Sequence, residues 1–406
     1  MRSAERTDLA EPDLRPSASV HGCPRVSALL FVLGLIFSLI VGANVLFTLV
    51  LPRRPRGFER ISLEINSMVR LTFIGLSQMA RRYETKDAIL APTGPVCIVA
   101  QLISWAIGLI VAFTLMLYAT THSVANALQQ ATTSIFTVGA IHPGGAENIA
   151  LDITVGATWL VIVTLQIAYL PSLYASFNQR ESLVAMLESR SGVPAWGPEI
   201  LMRHQIVGIT DTLPDFYSSW EEWSAELAES HTTYPVLLLF RSPEPWYSWL
   251  VGLLSVLDAA AMHLALAPTK ASSQARLCLR MGFTALNRIA VTLGWEVETD
   301  PNPAGPIMLT YEEFEEAVNM MREAGFEMER SAEQAWPEFV GWRVNYEKVA
   351  YRLAAHIIAP PAPWSGPRPH IRLSTESPHR PPQRTPSGFS SGSRSVRSAP
   401  NDDDFN

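Results

Sequence analysis

Charge is scarce in this chain. Asp, Glu, Lys and Arg make up 17% of it, against about a quarter in ordinary soluble domains, which argues against a wholly soluble protein. Cysteine is scarcer: Cys23, Cys97 and Cys278 stand far apart, so they offer neither a disulfide framework nor a metal-binding spacing. They read as unpaired, buried thiols. The net charge of −7 gives no electrostatic reason to expect nucleic acid as a partner. There is no Gly-rich phosphate loop, serine elbow or Cys-based catalytic motif. His204, His231 and His263 lack a second ligand one helical turn away, as a helix-borne metal site would need. These absences leave no support for an enzyme, a cofactor or a metal centre.

What the chain has is apolar length. Apolar residues make up 48% of its 406 positions, and they gather in runs long enough to cross a bilayer, which takes about 20 residues. Val26–Leu51 and Gly94–Ala119 contain no charge, and Ile149–Phe177 contains only Asp152 near its start, with Pro171 near its end. The first run ends in Pro52-Arg53-Arg54 instead of the small residues of a cleavable signal peptide. A further run, Trp246–Ala267, carries Asp258 and His263 and follows Pro243-Glu244-Pro245. A charge at the bilayer centre is costly, so this run reads as a buried helix of a soluble domain.

Basic residues set the orientation. Arg53, Arg54, Arg56, Arg60, Arg70, Arg81, Arg82 and Lys86 lie between the first and second runs, whereas Thr120–Asn148 contains no Lys or Arg. The first link is therefore expected inside and the second outside, in a multi-pass protein of the plasma membrane. The N-terminus then lies outside and the C-terminal region in the cytoplasm. In the first link, Ile61, Ile65, Met68, Thr72, Leu76 and Met79 recur at helical spacing between arginines. A helix on the inner membrane surface fits this stripe, and so does a helix packed on the body of the protein.

Between the second and third runs lies Ala125–Pro143, too short to cross a bilayer. Ser123–Phe136 reads as a polar-faced short helix with Thr132, Thr133 and Ser134 near its end. A helix C-terminus carries about half a negative elementary charge and favours cations. Thr137-Val138-Gly139 follows as an extended strand, and Pro143-Gly144-Gly145 turns the chain back. Non-helical backbone at membrane depth survives only when buried in protein or facing water, and successive carbonyls there can replace an ion's hydration shell. The alternative is an ordinary external loop that happens to contain T-V-G.

This order of span, short helix, T-V-G and span resembles the pore module of the potassium-channel superfamily. The resemblance implies a re-entrant pore loop, a filter lined by Thr137, Val138 and Gly139, monovalent cations such as potassium as the permeant species, and a homotetramer. The chain departs from the family at Ala140 and Ile141, where an aromatic residue and a second glycine are usual, at His142 in place of an acid, and at Phe136 in place of threonine. A β-branched residue does not adopt the left-handed backbone of that second glycine. Altered selectivity, or loss of conduction, is the implied consequence. Tyr169, Leu170, Pro171, Leu173 and Tyr174, followed by Arg180-Glu181, are also similar to a pattern in ion-channel-like actinobacterial membrane proteins.

In such a module Thr154, Thr158, Gln166 and Tyr169 are the polar members of the inner helix. Asp152 either supports the filter or sits at the interface without a role. Pro171 removes a helix hydrogen bond, and the resulting kink serves either as a gate or for packing alone. Beyond Arg180, Pro214–Glu229, Lys270–Thr292 and Ser331–Ile357 show helical periods, the last interrupted at Pro337, and Thr310 to Glu313 forms a capping box. The expected fold class is an all-α membrane protein with three transmembrane helices, a re-entrant pore loop between the second and third, and a soluble helical bundle. The expected segments are an external tail (1–25), a span (26–51), a linker with an amphipathic helix (52–93), a pore-like module (94–177, loop 120–148), a cytoplasmic bundle (178–359) and a disordered tail (360–406). Two functions fit: a tetrameric cation channel in the lipid bilayer, or a non-conducting sensor or scaffold that signals through the bundle.

Overall fold

A computed structural model describes residues 24–50, 59–137 and 146–366. Every regular element among them is helical: α1 (Pro24–Leu49), α2 (Glu59–Ser77), α3 (Tyr83–Leu90), α4 (Thr93–Thr121), α5 (Val124–Thr137), α6 (Ala146–Leu187), α7 (Gly197–Val207), α8 (Leu213–Thr233), α9 (Trp249–Leu266), α10 (Ser273–Thr292), α11 (Tyr311–Glu323), α12 (Ala332–Arg343) and α13 (Glu347–Ile357), with 3-10 turns at Thr210–Thr212 and Pro235–Leu239. Four stretches are long and apolar enough to cross a membrane: Arg25–Leu49, Tyr83–Thr121, Asn148–Leu187 and Trp249–Leu266.

The chain divides into two compact units. One holds the residues up to Leu46 with Ile103–Thr164; the other holds Phe47–Leu102 with everything from Leu165 onward. In the first unit, small residues let α1 and α4 approach closely. A Cβ on Gly34 would lie 2.5 Å from the Ala112 carbonyl oxygen, and one on Gly108 would lie 2.9 Å from Val41. Close approach through small residues is how apolar helices associate without a hydrophobic driving force. Asn44 Oδ1 accepts a hydrogen bond of 2.8 Å from Trp105 Nε1 at the same crossing. Large apolar side chains such as Leu29, Leu39, Ile107, Ile153 and Leu160 remain exposed, a surface that calls for lipid or another chain.

The second unit is a helical bundle built around α9. All 18 residues of α9 are buried, in agreement with its reading as a buried helix. α7 and α10 cross it at glycines: a Cβ on Gly197 would meet the Asp258 side chain at 2.7 Å and the Ser255 carbonyl at 2.8 Å, and one on Gly282 would meet Leu257. The expected capping box opens α11, with Thr310 and Glu313 each bonding the other's backbone amide, and a second one opens α12 at Ser331 and Gln334. Pro337 does not interrupt α12 as expected; it lies inside the helix. The carbonyl it leaves unbonded belongs to the exposed Glu333, where water can replace the lost partner.

The linker also belongs to this second unit. Val69 packs with the buried Cys97, Leu173 and Phe240, while Met68, Leu71, Leu76 and Met79 are exposed. Thus α2 has one face on protein and an apolar stripe left free. Cys97 and Cys278 are free, buried thiols as expected; Cys23 lies outside the described residues. Ala362, Trp364 and Ser365, within the segment expected to be a disordered tail, are buried; positions 367–406 lie outside the described residues.

Candidate functional site

The short helix α5 is joined to the start of α6 by Asp152. Gln130 and Ser134 are four residues apart and share one face of α5. Gln130 Nε2 donates to Asp152 Oδ2 at 2.9 Å, and Ser134 Oγ lies 2.7 Å from Asp152 Oδ1. Ser134 Oγ is also 2.8 Å from the Gln130 carbonyl. Its single proton goes to the carboxylate, the stronger acceptor. Asp152 and Ser134 are both buried, and Ala127, Ala131 and Ile135 complete the packed side of α5.

The other residues singled out in the sequence divide between placed and unplaced. Thr137 is the last residue of α5, helical where an extended strand was expected, a one-residue shift of the kind common at helix ends. Val138 and Gly139 lie outside the described residues. Thr133 donates to the carbonyls of Gln129 and Gln130, and Thr132 is half-buried. Along α6, the Thr154 and Thr158 hydroxyls donate to carbonyls one turn back. Gln166 is buried with Oε1 unpartnered, and Tyr169 meets Tyr234 edge-on at 5.3 Å. Pro171 lies within α6, which runs on to Leu187.

Three arginines organise the second unit, Arg180 and Arg343 buried and Arg241 partly so; sequence reasoning noted only Arg180, and gave it no role. Arg180, on the Arg180-Glu181 pair, donates to the carbonyls of Leu237 at 2.9 Å and Phe240 at 2.8 Å and pairs with Glu181 at 2.7 Å. Its Nη1 also lies 3.2 Å from His231 Nε2. An arginine only donates, so His231 is neutral there and its Nδ1–H faces the Leu227 carbonyl at 3.1 Å. Burial, and then Arg180, hold the His231 pKa well below the ordinary value.

Arg343 is fully buried. It pairs with Asp258 and with Glu347, and donates to Tyr351 Oη and to the Trp364 carbonyl, both at 2.8 Å. Tyr346 adds a hydrogen bond of 2.8 Å to Asp258. Burial opposes the guanidinium charge, but Asp258 leads the neighbours that keep its pKa above the ordinary value. This network holds the segment at Trp364 against α9 and α12.

Arg241 pairs with Asp87 and donates to Tyr83 Oη at 2.6 Å, the Ile357 carbonyl at 2.8 Å and the Ile358 carbonyl at 3.0 Å. It thereby caps the C-terminus of α13 with positive charge, the favourable sign for that end of a helix, and ties the linker helix α3 to it. The one sequence signal for these hubs was Asp258 inside an apolar run, since a buried carboxylate needs a buried partner. Compared with protein-family models, curated proteins and solved structures, the chain matches none of them. Its class rests on what its own residues define: an all-helical chain, among the described residues, with helices long and apolar enough to cross a membrane.

Proposed function

We propose that this chain is an ion-channel-like membrane protein, a homotetrameric cation channel related to potassium channels and altered in selectivity. In this reading α1, α4 and α6 cross the bilayer, α5 is the re-entrant pore helix, and the second unit's bundle is cytoplasmic. The observation that carries the reading is the tie between Asp152 and α5. At 14 residues and 1.5 Å each, α5 is about 21 Å long, short of the roughly 30 Å hydrocarbon core. It nevertheless lies between two helices long enough to span, and Asp152 bonds it at Gln130, mid-helix, and at Ser134, one turn nearer its C-terminus. A carboxylate at that place orients the short helix and adds negative charge that attracts cations. Thr137 ends α5, Val138 and Gly139 follow it in the chain, and the three supply the filter carbonyls.

Single-channel recording in planar bilayers under asymmetric potassium chloride tests this. Cation currents in the wild type that vanish in a Thr137→Ala, Gly139→Ala double variant are expected, and the reversal potential then reads the selectivity. Silence from intact tetramers across voltage, pH and calcium would sink the channel reading. A second reading, a non-conducting sensor or scaffold, is favoured by Ala140-Ile141 in place of the aromatic residue and glycine of a full filter, and silence would select it.

A further inference from the structure

Outside the pore-like segment, one cavity is built for a ligand. It lies where α2, the stretch between the Pro235–Leu239 turn and α9, and the end of α13 meet, and Arg70, Ser242, Ser248, Trp249 and His356 are in its lining.

Its polar groups have one electrical sign. Arg70 makes a single long contact, from Nη1 to the His356 carbonyl at 3.3 Å, and among the described residues it has no carboxylate partner. Ser242 is only 9% exposed, yet its Oγ bonds nothing. Burying a hydroxyl without a partner is costly, so a group that completes it has a place to act. Ser248 is the N-cap of α9, and the first amides of that helix, which have no intrahelical acceptor, bring the positive end of its dipole to the cavity.

Among the described residues no carboxylate lines the cavity, and the acceptors beside Arg241 are engaged. Asp87 is paired with Arg241, and the carbonyls of Ile357 and Ile358 accept from Arg241. His356 reports the local field: burial, and then the charges of Arg70 and Arg352, push its pKa down to about 4. Arg70, half-buried and without a carboxylate partner among the described residues, calls for an anion.

We propose that this cavity binds a phosphate group, with Arg70 and the Ser242 hydroxyl donating to its oxygens at the N-terminus of α9. Arginine suits this role because its planar fork matches phosphate oxygens. A phospholipid headgroup and a free phosphate anion present the same chemistry. An occupant here would bridge the linker helix α2 to the bundle whether or not the chain conducts ions.

The test is native mass spectrometry and titration calorimetry on the full-length protein in detergent, with three probes: inorganic phosphate, short-chain phosphatidylglycerol and a diacylglycerol of equal chain length. Binding of a phosphate-bearing probe is expected, with no binding of the diacylglycerol. Arg70→Gln should weaken it by about tenfold or more, as loss of a charge-assisted bond does. Ser242→Ala should weaken it less, and Arg70→Lys should fall between wild type and Arg70→Gln. Arg322→Gln, an exposed change elsewhere, should leave it unaltered. Phosphatidylglycerol binding without inorganic phosphate binding assigns the site to a lipid headgroup; the reverse assigns it to a soluble anion. No binding by either phosphate probe overturns the proposal, as does equal binding by wild type and an Arg70→Gln protein of unchanged melting temperature.

Discussion

Arg343 shows what a single residue holds together here. Its guanidinium meets Asp258, Glu347, Tyr351 and the Trp364 carbonyl out of contact with water. Removing one partner of a buried pair leaves the other charge stranded, at a cost of about 3–5 kcal/mol. Arg343→Met should therefore lower the unfolding free energy by about that much, read by denaturant titration of tryptophan fluorescence. An Asp258→Asn, Arg343→Met double variant should lose less than the sum of the two single changes, because the stranded charge is gone. A cycle that came out additive would mean the two groups do not act as a pair. Asp152 poses the same question in the first unit. Asp152→Ala leaves the Gln130 amide without its acceptor, while Ser134 keeps the Gln130 carbonyl; the loss is about 1–3 kcal/mol. Less cation current at unchanged membrane insertion is the expected result, whereas unaltered current would remove Asp152 from the proposed pore support.

At the scale of elements, α7 crosses α9 at close range. Gly197 has no room for a methyl group, since its neighbours there include the backbone of Ser255 and Ala259. Gly197→Ala should destabilise the bundle by about 1–3 kcal/mol, the usual cost of overpacking. Gly208 ends α7 at φ 76° with open space around it. Gly208→Ala should cost roughly 1–2 kcal/mol through backbone strain alone. If thermal melts showed both changes to be neutral, the crossing would be looser than described. The elements were largely legible beforehand, because apolar period and capping are local signals. The Thr310 box opened α11 as read. Pro337 misled because a proline stops a helix only where the freed carbonyl cannot find another partner. For α2, the stripe from Met68 to Met79 was visible, but which face meets protein depended on Cys97 and Phe240, far away in sequence.

For the whole molecule, assembly and acid response are the accessible observables. The channel reading requires four chains around one axis, so native mass measurement in detergent should give a tetramer; a strict monomer would count against a shared pore. Acid should loosen the bundle. His231 and His356 are held neutral by burial, His356 with a pKa of about 4 and His231 well below its ordinary value. In the unfolded chain such groups titrate near 6.5. Between about pH 6.5 and 4 the unfolded state thus binds more protons, so stability rises with pH and is lost on acidification through that window. His356→Gln should flatten the melting-temperature profile there, and an unchanged profile would exclude that residue as a source.

The sequence by itself determined the helices and the lengths of apolar chain available to cross a membrane. Hydrogen bonding within a helix and the period of its apolar face are settled by neighbours a few residues away, and span length is a property of one segment. Only the tertiary structure decided which charges meet. Arg343 and Asp258 are 85 residues apart, and Arg241 and Asp87 are 154. An ion pair at such separation leaves no local pattern, because its partners become neighbours only when the helices between them have packed. The same reason hid the cavity at Arg70: its wall comes from three distant segments, and the lack of a carboxylate there is a property of the assembled surface.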